Sequence, residues 1–206
     1  MNQALTFTSD QDQALAQFLV FIRAHETRKL WVLTGYAGTG KSTLIAHLVQ
    51  QMRAEQLPFK LLAPTGRAAK VLSNYAGFPA STIHRHIYFS GGELSTQGLS
   101  LAKNLHKNTL FFVDEASMLA ASSAYEANNV LEDLLNYVYN GDNCHLIFIG
   151  DPGQLPPVGQ EQSLALEPAL LATAFASLHI WHSHLTQVVR VNESSGILTA
   201  ATYLRQ

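Results

Sequence analysis

Eight residues set between an apolar run and an amphipathic stretch constrain this chain more than any others: Gly35-Tyr36-Ala37-Gly38-Thr39-Gly40-Lys41-Ser42, in the order G-x-x-x-x-G-K-[ST]. Three glycines so close together read as a turn. Upstream, KLWVLTG (29–35) is short and apolar, as a strand buried on both faces reads. Downstream, KSTLIAHLVQQMRAE (41–55) places Leu44, Ile45, Leu48, Val49 and Met52 along one helical face. A strand, a glycine turn and a helix in that order let backbone N–H groups close around phosphate oxygens, with the helix amino terminus adding positive charge. Lys41 is then the group that reaches the β- and γ-phosphates, and Ser42 the hydroxyl available to Mg²⁺.

The same alternation continues along the chain. Ser9 and Asp12 have the spacing of a capping box, and Ala14, Leu15, Phe18, Leu19 and Ile22 predict a first helix over 10–25. FKLLAP predicts a second strand, and GRAAKVLSNYA a helix ending at Gly77. Residues 86–107 carry three glycines and little periodicity, as a loop or small hairpin inserted in the fold would. NTLFFV and CHLIFIGD read as strands, with a long helix near Ala124–Tyr139 between them. The turn-rich PGQLPPVGQ, a helix near Ser163–Ala176, a strand LTQVVR and a helix from about Ser194 follow. Strands alternating with helices predict an α/β fold with a parallel central sheet flanked by helices on both faces.

Composition narrows the class. Of 206 residues 47% are apolar and 14% charged, enough to bury a core and unlike a disordered chain. The apolar runs fall well short of the roughly 18 residues of a membrane span. The lone cysteine, Cys144, has no partner for an internal disulfide, and the amino terminus lacks a signal-peptide pattern, so a cytoplasmic setting without a membrane is expected. The net charge of −2 conceals an asymmetry. From Lys60 to Lys107 six basic residues face one acid, an excess of five that suits a polyanion as well as it suits a solvated face.

Two further strand ends carry chemistry. Asp114 and Glu115 close the apolar FFVDE, where Asp114 can hold Mg²⁺ and Glu115 can act as general base; capping of the next helix is the alternative, which the P-loop upstream disfavours. Gly150-Asp151-Pro152-Gly153-Gln154 closes another, at the carboxyl end of a parallel strand, where ligands collect. Gln154 offers an amide to a γ-phosphate or an attacking water. His182 and His184 have the spacing of neighbours on one strand face, though no cysteine or acid nearby completes a metal set. Tyr88 and Phe89 suit base stacking as well as they suit a core.

Taken in order, LTGYAGTGKST, LLAPTGRAAKVL, STIHRHI, FFVDEASML, IGDPGQLPPVG and LTQVVRVNESSGIL resemble motifs I, Ia, Ib, II, III and IV of superfamily 1 helicases, in the RecD-like and Dda-like group that moves 5′ to 3′ on single-stranded DNA. The resemblance covers nearly the whole chain and implies a RecA-like P-loop ATPase domain over 1–206, with a short insertion at about 86–107. It implies ATP and Mg²⁺ as ligands, held by Gly35, Tyr36, Ala37, Gly38, Thr39, Gly40, Lys41, Ser42 and Thr43, with Asp114 sharing the metal. It implies that Gln11 reads the adenine edge, Gln13 being the alternative in a slipped register, and that Arg190 approaches the γ-phosphate. Pro64, Thr65, Gly66, Arg67, Thr82 and His84 match positions along the single-strand path. Such helicases carry a second RecA-like domain, which the residues after Arg190 are too few to supply, so the chain is expected to act as the first motor domain of a longer protein and to hydrolyse ATP slowly alone. An ATP-switched DNA-binding subunit without unwinding activity is the alternative; a small-molecule kinase would leave motifs Ia and III unused.

Overall fold

The computed structural model describes residues 6–89, 100–119, 129–154 and 163–189. Six strands form one sheet: β1 (Lys29–Gly35), β2 (Phe59–Ala63), β3 (Ala80–Thr82), β4 (Leu110–Val113), β5 (His145–Gly150) and β6 (His179–Leu185), in the order β3-β2-β4-β5-β1-β6. Every pairing is parallel, so all six carboxyl ends emerge along one rim.

Side-chain alternation builds two cores. In β1, Leu30 and Val32 join Phe111, Val113, Leu146 and Phe148 on one face. Trp31 and Leu33 join Phe112, Ile147 and Ile149 on the other. Helices α1 (Ser9–Arg23), α2 (Lys41–Ala54) and α3 (Gly66–Ala76) cover the second face. Helices α4 (Ile83–Ile87), α5 (Val130–Tyr139) and α6 (Pro168–Ala174) cover the first. The central strands β1, β4 and β5 are buried throughout, which is why they read as unbroken apolar runs.

Several boundaries differ from the sequence reading. The capping box of α1 is Thr8 with Gln11, not Ser9 with Asp12, because Thr8 is the extended residue before the first helical turn. The same helix stops at Arg23, where the buried Lys29 ammonium donates to the carbonyls of Phe21, Ile22 and Ala24. Extended Asn129 accepts from the Glu132 amide and starts α5 at Val130; the expected start at Ala124 lies outside the described residues. The helix expected over 163–176 divides into a 3₁₀ turn, Leu164–Leu166, and α6, because Pro168 disfavours helical geometry at Glu167. Within 86–107, His86 and Ile87 belong to α4, and Tyr88 pairs with Leu101 at the base of the insertion.

The last strand is the largest correction: it is His179–Leu185, not LTQVVR. Its register runs from Lys29 opposite His179 to Gly35 opposite Leu185. As an edge strand it carries polar residues whose partners lie on β1, so no apolar run announces it. Ser183 Oγ accepts from the Trp31 indole at 3.2 Å, and the Thr34 hydroxyl meets His182 Nε2 at 2.9 Å and His184 Nδ1 at 2.8 Å. The two histidines therefore share a face, as expected, with a threonine between them. The stretch read as the helix from Ser194 lies outside the described residues.

Candidate active site

The glycine turn after β1 is held from inside. The Thr39 hydroxyl donates to Tyr36 O at 2.8 Å, and Gly38 and Gly40 have φ of 84° and 82°. A Cβ on Gly40 would also collide with Gln11 Nε2 and lie 2.8 Å from Val189 Cγ2. Helix α2 begins there with no side-chain cap and no acid in its first turn, so its N–H groups and positive end are left for an anion. The Lys41 ammonium folds back on the carbonyls of Gly35 and Tyr36. Ala37, Ser42 and Thr43 are exposed along the same mouth.

Two neighbours brace this turn. Gln11, 2% exposed, accepts from Thr8 N at 2.9 Å and donates to the carbonyls of Thr39 and Gly40, each at 3.3 Å. Its amide is thus committed to the turn, whereas Gln13 is exposed and lines a separate cleft with Asp10 and His184. On the other side, Val189 N donates to Gly38 O at 3.0 Å. Arg190 lies just outside the described residues.

The carboxylates stand at neighbouring strand ends. Asp114 follows β4, and its Oδ2 accepts from the Tyr75 phenol at 2.7 Å. Glu115 sits at φ 54°, a left-handed backbone uncommon for a residue with a side chain and of the kind found at functional sites. Burial first, and the Asp114 charge second, raise its carboxyl above the ordinary value, while a hydrogen bond with Gln154 and the Lys41 charge oppose them. Gln154 is fixed in turn: its Oε1 accepts from the buried Ser117 hydroxyl at 3.0 Å. The Asp151 carboxylate accepts from Gly153 N at 2.8 Å and shapes the turn that presents Gln154.

The residues matched to a nucleic-acid path lie on the next two strand ends. Ala63 pairs with Thr82 in the β2–β3 register, so Pro64–Arg67 and Thr82–His84 emerge side by side. Thr65 caps α3 by accepting from Ala68 N, and Thr82 caps α4 by accepting from Arg85 N. Each hydroxyl keeps its own hydrogen to donate. Arg67, His84 and Arg85 are exposed, and neither arginine has an ion-pair partner among the described residues. A groove of about 320 Å³ lined by Thr65, Arg67, Asp114, Glu115 and Gln154 joins this rim to the carboxylates. Of the two aromatics, Tyr88 is buried and donates to Asp133, whereas Phe89 is 70% exposed.

Sequence reasoning missed Tyr75, Ser117 and Asp10. Tyr75 had a signal: it falls three residues after Leu72 on the buried stripe of α3, where a phenol needs a partner. Nothing in the local pattern singles out the others.

A parallel six-stranded sheet with a glycine turn at β1 and carboxylates at β4 defines a P-loop nucleotide-binding domain of the RecA-like α/β class. The chain belongs to the AAA domain family, whose match spans residues 6–206. Among curated relatives it is 35% identical to the ATP-dependent RecD2 DNA helicase of Deinococcus radiodurans, over 84% of this chain and 21% of that protein. It is 28% identical to the ATP-dependent DNA helicase dda of Enterobacteria phage T4, over 98% of this chain and 44% of that one. The crystal structure of Pif1 helicase from Candida albicans shares the fold, with a TM-score of 0.60 and 21% identity, over 98% of this chain and 44% of that chain. The resemblance drawn from the six motifs is borne out. The chain spans less than half the length of each of these proteins.

Proposed function

We propose that this chain is the ATP-binding and ATP-hydrolysing first motor domain of a DNA helicase that translocates on single-stranded DNA, 5′ to 3′. The observation that carries the reading is the single rim on which the P-loop, Asp114, Glu115 and Gln154 meet the groove leading to Thr65 and Arg67. Relatives named as helicases support it.

The residues present fit MgATP. An uncapped helix start with two left-handed glycines suits a polyphosphate, and hard oxygen donors, Ser42 and Asp114, meet at one phenol. Lys41 would leave the carbonyls of Gly35 and Tyr36 for the phosphates. Mg²⁺, when bound, neutralises charge developing on the phosphate oxygens. Glu115 takes the proton from water as its oxygen attacks the γ-phosphorus and ADP leaves. Its raised proton affinity makes it a stronger base. Gln154, held by Ser117, orients the water or the γ-phosphate. Gln11 braces the P-loop, and an adenine contact requires it to exchange its bonds to Thr39 and Gly40. Arg190 supplies a charge to the γ-phosphate, and a second RecA-like domain supplies the rest of the site. The setting is cytoplasmic; among the described residues no helix is long and apolar enough to cross a membrane.

On the DNA side, Thr65, Gly66, Arg67, Thr82 and His84 grip the backbone without reading bases, with Pro64 shaping the turn. The test is MgATP hydrolysis with and without single-stranded DNA, in the chain and in Arg67→Ala. DNA should raise turnover, Arg67→Ala should keep the basal rate and lose the stimulation, and added salt should weaken DNA binding. If DNA changes neither turnover nor nucleotide affinity once the second RecA-like domain is joined to the chain, the helicase reading fails.

A further inference from the structure

Helix α3 reaches both halves of this site. Its first residues, Gly66 and Arg67, stand on the proposed DNA rim, and its last turn carries Tyr75. The ring of Tyr75 packs against the core under α2 and α3, so the position of its hydroxyl is set by packing. That hydroxyl donates to Asp114 Oδ2 at 2.7 Å, with the Ser42 side chain close by. One phenol therefore stands beside both residues assigned to the metal.

We propose that Tyr75 is a positioning residue for Mg²⁺: its hydroxyl fixes the Asp114 carboxylate through one oxygen, and its place on α3 ties the metal site to the DNA rim. This rests on the reading of Ser42 and Asp114 as the groups that hold the metal. A carboxylate pinned by an O–H donor loses less freedom when it engages a hydrated cation, and outer partners of this kind typically carry about 10–100-fold of metal affinity. Because α3 is one helix of about 15 Å, a shift of its first turn on DNA binding moves its last turn with it.

The experiment is Tyr75→Phe in the 206-residue chain, which keeps the ring and removes the hydroxyl. Binding of a fluorescent ADP analogue is titrated with Mg²⁺ and repeated in EDTA. The proposal expects the half-saturating Mg²⁺ concentration to rise about tenfold, while affinity in EDTA stays within twofold. It also expects single-stranded DNA to shift the Mg²⁺ requirement of the parent chain and not of Tyr75→Phe. A requirement unchanged or lowered in Tyr75→Phe overturns it. Asp114→Asn separates the two readings. If Asp114→Asn raises the requirement and Tyr75→Phe does not, only the role of Tyr75 fails. If Asp114→Asn has no effect either, the metal site itself is misassigned. Should Tyr75→Phe fold poorly, 3-fluorotyrosine in the parent chain gives a second readout: the ¹⁹F resonance of residue 75 should move when Mg²⁺ joins bound ADP, and a resonance that stays in place overturns the proposal.

Discussion

The carboxylate of Asp10 accepts both the backbone amide and the hydroxyl of Thr186, each at 2.7 Å, across 176 residues of sequence. The Gln187 amide adds a third bond at 3.0 Å, and two residues on, Val189 N reaches Gly38 O. The strap that leads to Arg190 is thus tied at one end to the start of α1 and at the other to the P-loop. Asp10→Ala should loosen both, costing about 1 kcal/mol of stability and several-fold in nucleotide affinity. The hydroxyl of Thr186 first, then the backbone amide of Thr186, hold the Asp10 carboxyl below its ordinary value. The contribution is therefore full above the unfolded carboxylate range and disappears as pH falls through the lowered folded value. Thermal unfolding of the two chains at pH 7 and at successively lower pH checks this, and a gap that does not narrow as pH falls below the ordinary carboxylate value would refute it.

Two glycines on the same rim should respond in opposite ways. At Gly40 a side chain meets Gln11 and Val189 in a left-handed backbone, so Gly40→Ala should cost about 1–3 kcal/mol and abolish nucleotide binding. At Gly66 an added Cβ meets nothing within 4 Å. Gly66→Ala should leave stability unchanged or slightly raised and weaken single-stranded DNA binding, because only a ligand fills that space. Calorimetry together with DNA titration reads both effects.

Acid sensitivity should come from two imidazoles. Burial foremost, then His106 and Lys60, holds His86 down to about 4; burial and then Lys29 do the same for His145. Neither His86 Nε2 nor His145 Nδ1 has a hydrogen-bond partner among the described residues. The unfolded chain takes up these protons near pH 6.5, so stability is full above that value and falls as pH drops from about 6.5 to 4. His86→Phe should recover on the order of 2 kcal/mol of that loss. Denaturant midpoints at pH 7 and pH 4.5 measure it, and parallel losses in both chains would contradict it.

The strands under the site were legible because burial on both faces leaves runs such as KLWVLTG and HLIFIG, and the strand–turn–helix context made the P-loop unmistakable. β6 was not legible, since an edge strand whose histidines and serine bond to Thr34 and Trp31 presents no apolar run. Local pattern also misplaced the capping box by one residue. Gln11 shows why: the glutamine that closes the box also reaches Thr39 and Gly40, a partner that appears only once the chain has folded. Asp10 and Ser117 were hidden for the same reason, each acting on a segment distant in sequence.

The account rests most heavily on a division of labour between Lys41 and Glu115, and the measurement that tests it is single-turnover MgATP cleavage beside equilibrium nucleotide binding in Lys41→Ala and Glu115→Gln. Lys41→Ala should lose both binding and cleavage. Glu115→Gln should bind at least as tightly as the parent chain and lose cleavage by about 10²–10⁴-fold. Cleavage that survives in Glu115→Gln, or nucleotide binding that survives unchanged in Lys41→Ala, would contradict the assignment of this rim as an ATP-hydrolysing site.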